Sequence, residues 1–291
     1  MTHRFLISGW YGHKNLGDEV ILLSIADSIK KHIPGAEITA LSYDVNFTKN
    51  FLNIPAAFQL PYGIKAWIKS FLKGQVWGTL KAFLKTDFIL IGGGGFLSDW
   101  QPEAPYVWLR QALLGKILGK KVVLYGIGAG PFTRKNGKRT TRFFINNFVD
   151  AITVRDVKSK EWLLIAGVKD HLITVSADPV LGLKINNDRP KSFEKHVGIC
   201  IAPIFHIEKY WPGKQYKYEE FKSSIRELVL SFQKNNYQVS FIPMQADIDT
   251  KFAQEITAGL SLENINIYNG FESIEESIEA LSRPSILISM R

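Results

Sequence analysis

The chain has 291 residues, 46% hydrophobic and 22% charged, with a formal net charge of +9. This length allows one large or two ordinary domains, and the composition is that of a soluble globular protein. No apolar run approaches the ~20 residues that span a bilayer, and the start has no secretory leader pattern, so we expect a cytoplasmic protein. The single cysteine, Cys200, lies in an apparent strand; it excludes an intramolecular disulfide, and we expect a buried thiol and no metal site.

The positive charge is concentrated in the first two thirds of the chain. Residues 1–190 contain 25 Lys and Arg against 14 Asp and Glu, whereas residues 191–291 contain 11 against 13. This asymmetry suggests that the first part contacts an anionic partner, and it leaves open nucleic acid, an anionic membrane surface or an anionic substrate.

The first motif is the loop Ser8–Glu19, between a predicted strand at Arg4–Ser8 and a predicted helix at Asp18–His32. Its glycines permit tight turns and close approach of a ligand, and the following helix offers N–H groups and a positive dipole end. The loop is therefore a candidate anion site. The alternative is that Asp18 and Glu19 merely complement the helix dipole.

The segment Gly63–Lys85 is basic and aromatic, with five lysines and no acidic residue. It predicts a helical segment that Gly74 and Gly78 interrupt. Such a segment suits a membrane interface, where each lysine near anionic lipid contributes about 1 kcal/mol. The alternative is an ordinary surface helix that packs on the core by its apolar stripe, as amphipathic surface helices usually do.

Two glycine-rich stretches follow predicted strands. Gly92–Gly95 comes after a strand at Asp87–Ile91, and Gly126–Pro131 comes after a strand at Val122–Tyr125. Successive glycines at the carboxyl end of a strand leave room for a ligand and expose N–H groups, as anion-binding nests do. The second stretch lacks the spacing of the dinucleotide fingerprint.

Arg155 follows a predicted strand at Ala151–Val154. Ligands of open parallel sheets bind outside the carboxyl ends of the strands, and a guanidinium matches carboxylate or phosphate bidentately. Arg155 is therefore a candidate anion ligand, with an ion pair to Asp156 as the alternative.

Alternating strands and helices predict an α/β protein with two such units. We expect a first domain at residues 1–182, a polar linker at 183–195 and a second domain at 196–291. The second pattern stops directly after a strand at Ser285–Ile288, which predicts an incomplete domain.

The ordered set of motifs resembles the polysaccharide pyruvyl transferase family, in particular its CsaB-like members. The motifs are Ser8-Gly9-Trp10-Tyr11-Gly12, Asn15-Leu16-Gly17-Asp18-Glu19, Gly92–Leu97, Gly126–Pro131, Val154-Arg155-Asp156, Ala177-Asp178-Pro179 and Pro243-Met244-Gln245. The resemblance covers nearly the whole chain. It implies two Rossmann-like domains facing a cleft, as in GT-B glycosyltransferases, and transfer of pyruvate from phosphoenolpyruvate as a ketal to a sugar, commonly N-acetylmannosamine of a lipid-linked cell-wall precursor.

The resemblance also implies roles for individual residues. Asp18 is the candidate general acid or base, and Arg155 is the candidate clamp for the donor's phosphate or carboxylate. The substrate-binding candidates are Gly9, Asn15, Gly17, Gly93, Gly94, Gly95, Gly128, His206, Gln245 and Arg291. We expect phosphoenolpyruvate as the co-substrate and no cofactor, and a glycan or lipid-linked glycan as the acceptor. We expect no nucleic-acid partner. The segment Lys65–Lys85 could contact an anionic membrane surface at the inner face of the plasma membrane.

Two positions depart from the family pattern. An arginine that the family carries after the first strand of the second domain is replaced by Ile201-Ala202-Pro203, with His206 nearby as a substitute. Met290-Arg291 matches the start of a Met-Arg-Leu-His motif, and the chain ends before the Leu-His. We therefore expect a truncated member. A nucleotide-sugar glycosyltransferase of the same two-domain architecture is one alternative, and a non-enzymatic membrane-surface binding protein or inactive fragment is another.

Overall fold

The computed structural model describes residues 2–184, 193–207, 211 and 213–290. The chain divides into two compact units, which are Met1–His13 with Asp18–Lys184, and Lys14–Gly17 with Ile185–Arg291. Most of the segment predicted as a linker falls at residues 185–192, outside the described residues. The strand that follows begins at Phe193, inside the predicted linker.

The first unit is built on a parallel seven-stranded sheet. Its strands are β1 (Arg4–Ser8), β2 (Glu37–Ser42), β3 (Ala56–Phe58), β4 (Phe88–Leu97), β5 (Lys121–Ala129), β6 (Ala151–Val154) and β7 (Ile173–Val175), in the order β3-β2-β1-β4-β5-β6-β7. The intervening helices are α1 (Leu16–His32), α2 (Val45–Leu52), α3 (Ile64–Leu72), α4 (Gln75–Lys85), α5 (Ala104–Ile117), α6 (Lys135–Phe148) and α7 (Val157–Ala166). This is the doubly wound arrangement of a Rossmann-like domain.

The second unit contains a parallel four-stranded sheet. Its strands are β8 (Phe193–Cys200), β9 (Gln238–Phe241), β10 (Ile265–Ile267) and β11 (Pro284–Ser289), in the order β10-β9-β8-β11. Its helices are α8 (Gln215–Lys234), α9 (Ala246–Thr257) and α10 (Ile274–Ser282). The α/β class with parallel sheets is thus confirmed, while the cleft between two domains and the incomplete second domain stay predictions.

Each unit has its own hydrophobic core. The first-unit core includes the buried side chains Leu6, Ile89, Ile91, Leu124 and Ile152. The second-unit core includes Val197, Ile199, Val239, Phe241 and Phe252. The buried strands of both units are rich in β-branched and leucine side chains, as is typical of parallel sheets.

Cys200 lies at the end of β8 and is buried, as predicted. Burial, and to a smaller extent the carboxylate of Asp249, raises the pKa of this thiol to about 11. Within the described residues, no helix has both the length and the apolar character that a bilayer crossing requires.

Local capping explains where several helices begin. The side chain of Asp44 accepts a hydrogen bond from Phe47 N at 3.0 Å and starts α2, and Asp156 does the same for α7 through Ser159 N at 2.6 Å. These bonds satisfy N–H groups that the first helical turn leaves without partners. Asp156 is therefore a helix cap as well as a neighbour of Arg155.

The two glycine stretches correct the sequence prediction. The strands predicted to stop at Ile91 and Tyr125 continue through the glycines, so that β4 reaches Leu97 and β5 reaches Ala129. Gly92 pairs with Tyr125 and Gly94 with Ile127, and the register shifts between Gly94 and Leu97. Main-chain pairing between neighbouring strands outweighs the low strand propensity of glycine here.

Candidate functional site

The strand order of the first unit reverses between β1 and β4. In open α/β sheets, the crevice outside the carboxyl ends of the strands at such a reversal is the usual ligand site. The loop after β1 and the glycine run of β4 lie at this position. The candidate site is therefore built from the carboxyl ends of β1, β4, β5 and β6.

Tyr11 fastens the loop after β1 to strand β4. Its side chain is fully buried, and its hydroxyl donates a hydrogen bond to the carbonyl of Gly92 at 2.5 Å. Burial raises the pKa of Tyr11 well above its ordinary value, and the carboxylates of Asp18 and Glu19 add to the effect. The phenol therefore stays protonated and keeps its donor role.

Gly9 is required by this packing, because a Cβ at that position would lie 2.4 Å from Tyr11 Cζ. Gly9 therefore has a packing role, and its predicted contact with substrate stays a prediction. Tyr11 was not predicted as a residue of the site, although it lies between two glycines of the loop.

Glu19 is a second residue that sequence reasoning assigned only to the helix dipole. Its side chain is fully buried, and Oε1 accepts a hydrogen bond from the main-chain N–H of Gly12 at 2.8 Å. Gly12 has a φ of +77°, which suits glycine, and a Cβ there would lie 2.0 Å from Ser42 Oγ. Glu19 thus holds the loop in the conformation that places the neighbouring Asp18.

Asp18 lies against the glycine run of β4. A Cβ at Gly94 would be 3.3 Å from Asp18 Oδ1, and Gly94 has a φ of +99°. A Cβ at Gly93, where φ is +77°, would lie 2.1 Å from Ile21 Cγ2 on α1. The absence of side chains at these two glycines lets the start of α1 approach β4, and Asp18 comes with it.

Arg155 lies against the next glycine of the same run. A Cβ at Gly95 would be 3.2 Å from Arg155 Nη2, and one at Gly128 would be 3.0 Å from Arg155 Nε. The guanidinium therefore contacts the main chain of both β4 and β5. Gly92, Gly93 and Gly94 are buried whereas Gly95 is exposed, so this cation lies where the glycine run reaches the surface.

Two carboxylates orient the guanidinium. Asp178 Oδ2 accepts a hydrogen bond from Arg155 Nη1 at 3.1 Å, and Asp156 Oδ2 lies 3.8 Å from Arg155 Nε. The predicted alternative, an ion pair with Asp156, is the weaker of the two contacts. Asp178 belongs to the motif Ala177-Asp178-Pro179 but was not predicted as a site residue, because nothing in the local sequence shows that its carboxylate pairs with Arg155.

The chemistry of the site follows from these positions. The carboxylate of Asp18 lies beside Gly94 and the guanidinium of Arg155 lies beside the next residue, Gly95, and neither glycine carries a side chain. A guanidinium binds carboxylate or phosphate, and a carboxylate moves protons or orients a hydroxyl. Among the described residues, no group of three His, Cys, Asp or Glu side chains is placed to hold a metal ion.

The other predicted substrate ligands have different surroundings. Asn15 Oδ1 accepts a hydrogen bond from Gly17 N at 3.2 Å, which makes Asn15 a cap for the start of α1. Asn15 also forms an antiparallel bridge with Gln245, and the main-chain N–H of Gln245 donates to Asp249 Oδ2 at 2.9 Å at the start of α9.

His206 belongs to the second unit, where its ring is exposed and Nδ1 hydrogen-bonds with the carbonyl oxygen of Pro203. Arg291 lies outside the described residues.

A separate pocket of about 540 Å³ lies in the first unit beside the ends of β2 and β3. Its polar and aromatic lining includes Tyr43, Gln59, Tyr62 and Lys69. Gln59 Nε2 donates to the carbonyl of Gly9 at 2.5 Å, which connects the pocket wall to the loop after β1.

Three aromatic rings of the first unit form a continuous stack at the pocket. The ring of His13 stacks between Trp10, at 3.9 Å, and Tyr43, at 4.5 Å between centroids. Burial lowers the pKa of His13, so the ring in this stack is neutral at neutral pH. The stack extends from the loop after β1 to a wall of the pocket.

Comparison with known proteins identifies both a family and a fold. The family model for polysaccharide pyruvyl transferase matches residues 15–291. No curated protein sequence matches the chain. Among solved structures, a putative UDP-N-acetylglucosamine 2-epimerase from Listeria monocytogenes is similar with a TM-score of 0.60 and 13% identity, covering 100% of this chain and 75% of that one.

A second similar structure is the UDP-GlcNAc 2-epimerase from Neisseria meningitidis bound to UDP-GlcNAc. It has a TM-score of 0.60 and 12% identity, with coverage of 100% of this chain and 78% of the other. The corresponding enzyme from Methanocaldococcus jannaschii has a TM-score of 0.55 and 14% identity, with coverage of 100% and 79%. At these identities, the similarity shows a shared GT-B-like fold and nothing about ligands.

Proposed function

Because the chain belongs to the polysaccharide pyruvyl transferase family, we propose that it transfers the pyruvyl group of phosphoenolpyruvate, as a ketal, to a sugar of a lipid-linked cell-wall polysaccharide precursor. The proposed acceptor sugar is N-acetylmannosamine, and phosphoenolpyruvate is the co-substrate, without a further cofactor. The observation that carries the proposal is the placement of Asp18 beside Gly94 and of Arg155 beside Gly95.

Arg155 supplies the cation that the donor needs. Phosphoenolpyruvate carries a carboxylate and a phosphate, and a guanidinium fits either group bidentately. The glycines beside Arg155 leave space for a ligand to approach the guanidinium, and the excess of basic residues over residues 1–190 favours an anionic substrate.

Asp18 supplies the proton transfers of the proposed reaction. C3 of the donor gains a proton, the first sugar hydroxyl forms a bond to C2, and the second hydroxyl forms another as the bond from C2 to the phosphate oxygen breaks. One hydroxyl proton is delivered to C3 and the other leaves with inorganic phosphate. A carboxylate at Asp18 acts as the general base towards a hydroxyl and, once protonated, as the general acid towards C3.

The pocket beside β2 and β3 is the proposed acceptor site. Its volume of about 540 Å³ exceeds that of a single sugar ring, and the rings of Tyr43 and Tyr62 offer flat apolar surfaces for sugar faces. The amide of Gln59 and the ammonium of Lys69 add polar groups for hydroxyls and for a linking phosphate. The hydrogen bond from Gln59 to Gly9 keeps this site next to the loop that carries Asp18.

The proposal is tested by phosphate release and by thermal unfolding. We expect the protein to release inorganic phosphate from phosphoenolpyruvate only when an N-acetylmannosaminide acceptor is present. Asp18→Asn should lower this rate by about 10²–10⁴-fold and retain donor binding, because the acid–base group alone is lost. Asp27→Asn, an exposed change on the same helix, is the matched control.

Ligand protection separates this activity from that of a nucleotide-sugar glycosyltransferase. Phosphoenolpyruvate at 100 times its Kd should add about 2.7 kcal/mol to the free energy of unfolding, and UDP should add nothing. Protection by UDP and not by phosphoenolpyruvate, together with no phosphate release, would refute the proposed function.

A further inference from the structure

Helix α3 has its polar face turned towards the protein. Ser70 is its buried residue, and Ala66, Lys69, Ser70 and the following Lys73 line the pocket of about 540 Å³. These positions recur at intervals of three and four residues, so they share one face of the helix. A surface helix of a globular protein ordinarily presents its apolar face to the core, and α3 presents the opposite face.

The outward face of α3 is a row of large apolar side chains. The exposed fractions are 80% for Ile64, 39% for Trp67, 56% for Ile68, 58% for Phe71 and 78% for Leu72. The same spacing that puts the polar residues at the pocket puts these residues on the other side. One of the two interpretations of this segment was that its apolar stripe packs on the core. In α3, the described residues of the first unit leave the stripe uncovered.

Helix α4 extends this surface in a more ordinary way. It buries Val76, Thr79 and Phe83, and it exposes Trp77 by 62% and Leu84 by 59%. The ring of Trp77 lies 6.2 Å from that of Phe71. We call the exposed apolar residues of the two helices the α3–α4 outer surface; they are Ile64, Trp67, Ile68, Phe71, Leu72, Trp77 and Leu84.

The charged residues of this helical segment are all lysines. Lys65, Lys81 and Lys85 are exposed and do not line the pocket, whereas Lys69 and Lys73 are exposed on the pocket side of α3. The stretch between residues 63 and 85 has no acidic residue. A second copy of the chain docked face to face would bring two such lysine sets together, which like-charge repulsion disfavours. A partner with an anionic surface and an apolar interior can pair with the lysines and also bury the apolar row.

We propose that the α3–α4 outer surface docks the protein onto an anionic phospholipid bilayer. The apolar row lies about 5–10 Å into the boundary between headgroups and acyl chains, and Lys65, Lys81 and Lys85 remain at the level of the phosphates. Tryptophan at positions 67 and 77 fits this depth, because its ring is amphipathic and concentrates at membrane interfaces. This inference is independent of the pyruvyl transfer proposed above.

The docking is tested by sedimentation of the full chain with phospholipid vesicles. We expect binding to vesicles of phosphatidylcholine and phosphatidylglycerol in about equal parts to be at least about tenfold tighter than binding to pure phosphatidylcholine. Replacing Lys65, Lys81 and Lys85 by glutamine should weaken binding by about fivefold per lysine.

A matched pair of variants tests insertion of the apolar row. Ile68→Glu/Leu72→Glu should lose at least about tenfold in binding to the anionic vesicles. Ile165→Glu/Leu181→Glu replaces two side chains of similar exposure, 57% and 80%, elsewhere in the first unit and should leave binding unchanged. All four substitutions are at exposed positions, and unchanged thermal unfolding of each variant checks that it is folded.

Three results would overturn the proposal. The first is equal binding to the two kinds of vesicle, and the second is full binding by Ile68→Glu/Leu72→Glu. The third is that the unaltered protein binds no vesicles and forms a dimer in analytical ultracentrifugation, while Ile68→Glu/Leu72→Glu is a monomer. A second copy of the chain would then cover the surface. Phosphate release with a soluble acceptor is measured on the same samples and reports separately on the catalytic proposal.

Discussion

The guanidinium of Arg155 is held by contacts on three sides. Asp178 binds Nη1 at 3.1 Å, and the main chains at Gly95 and Gly128 pass so close that a Cβ at either would lie 3.2 or 3.0 Å from a guanidinium nitrogen. Such contacts orient the planar fork before any ligand arrives. Preorganised cations of this kind account for a large part of catalysis on anionic groups.

We expect Arg155→Lys to lower kcat/KM for phosphoenolpyruvate by about 10²–10³-fold, because an ammonium cannot reproduce bidentate binding. Most of the loss should appear as weaker donor binding, which isothermal titration calorimetry measures directly. Arg139→Lys, an exposed change on α6, is the control. Equal donor affinity in Arg155→Lys and in the unaltered protein would contradict the clamp role.

At the scale of elements, the two glycines of the basic segment differ in their effect on its helices. The break predicted between the two basic helices occurs at Gly74, whose φ is +67°, whereas Gly78 lies inside α4. A Cβ at either glycine would meet open space, so neither position is restricted by neighbouring atoms. The two glycines therefore differ in backbone conformation alone.

Substituting each of them by alanine should give effects of opposite sign. Gly74→Ala should lower the free energy of unfolding by about 1 kcal/mol, because alanine disfavours the left-handed conformation. Gly78→Ala should raise it by up to about 1 kcal/mol, because alanine favours a helix interior. Urea unfolding of both variants measures the difference, and a change of the same sign in both would show that the break lies elsewhere.

At the scale of the whole molecule, the two units have separate hydrophobic cores. Leu6 and Phe241 are buried at 0% and 2% exposure in the first and second core, respectively. Removing either side chain leaves a cavity that is lined only by residues of the core to which that side chain belongs. Stability is therefore expected to be lost locally, by unit.

Phe241→Ala should cost about 3–5 kcal/mol and accelerate amide hydrogen exchange in β8 and β9, with little change in β1 and β4. Leu6→Ala should give the reverse pattern, at a cost of about 2–5 kcal/mol. Hydrogen exchange followed by mass spectrometry resolves these strands. A uniform loss of protection after either substitution would mean that the chain unfolds as one cooperative body.

Several features of the fold and the site were predictable from the sequence because they depend on neighbouring residues. The runs Arg4–Ser8 and Ala151–Val154 were predicted as strands, and the structure has strands with these bounds. The family followed from short motifs in a particular order, which the family model confirms over residues 15–291. Asp18 and Arg155 were identified as candidates from the same motifs, and both lie at the glycine run.

Features that depend on partners distant in the chain were decided by the tertiary structure. The helix α2 depends on capping by Asp44, and the short strand β3 depends on pairing with β2. Continuation of β4 through its glycines depends on pairing with β5, and the partner of Arg155 is 23 residues away at Asp178. The sequence of α3 predicts an apolar helix face but not its direction. The structure shows that the polar face lines the pocket, so that the apolar row points outward.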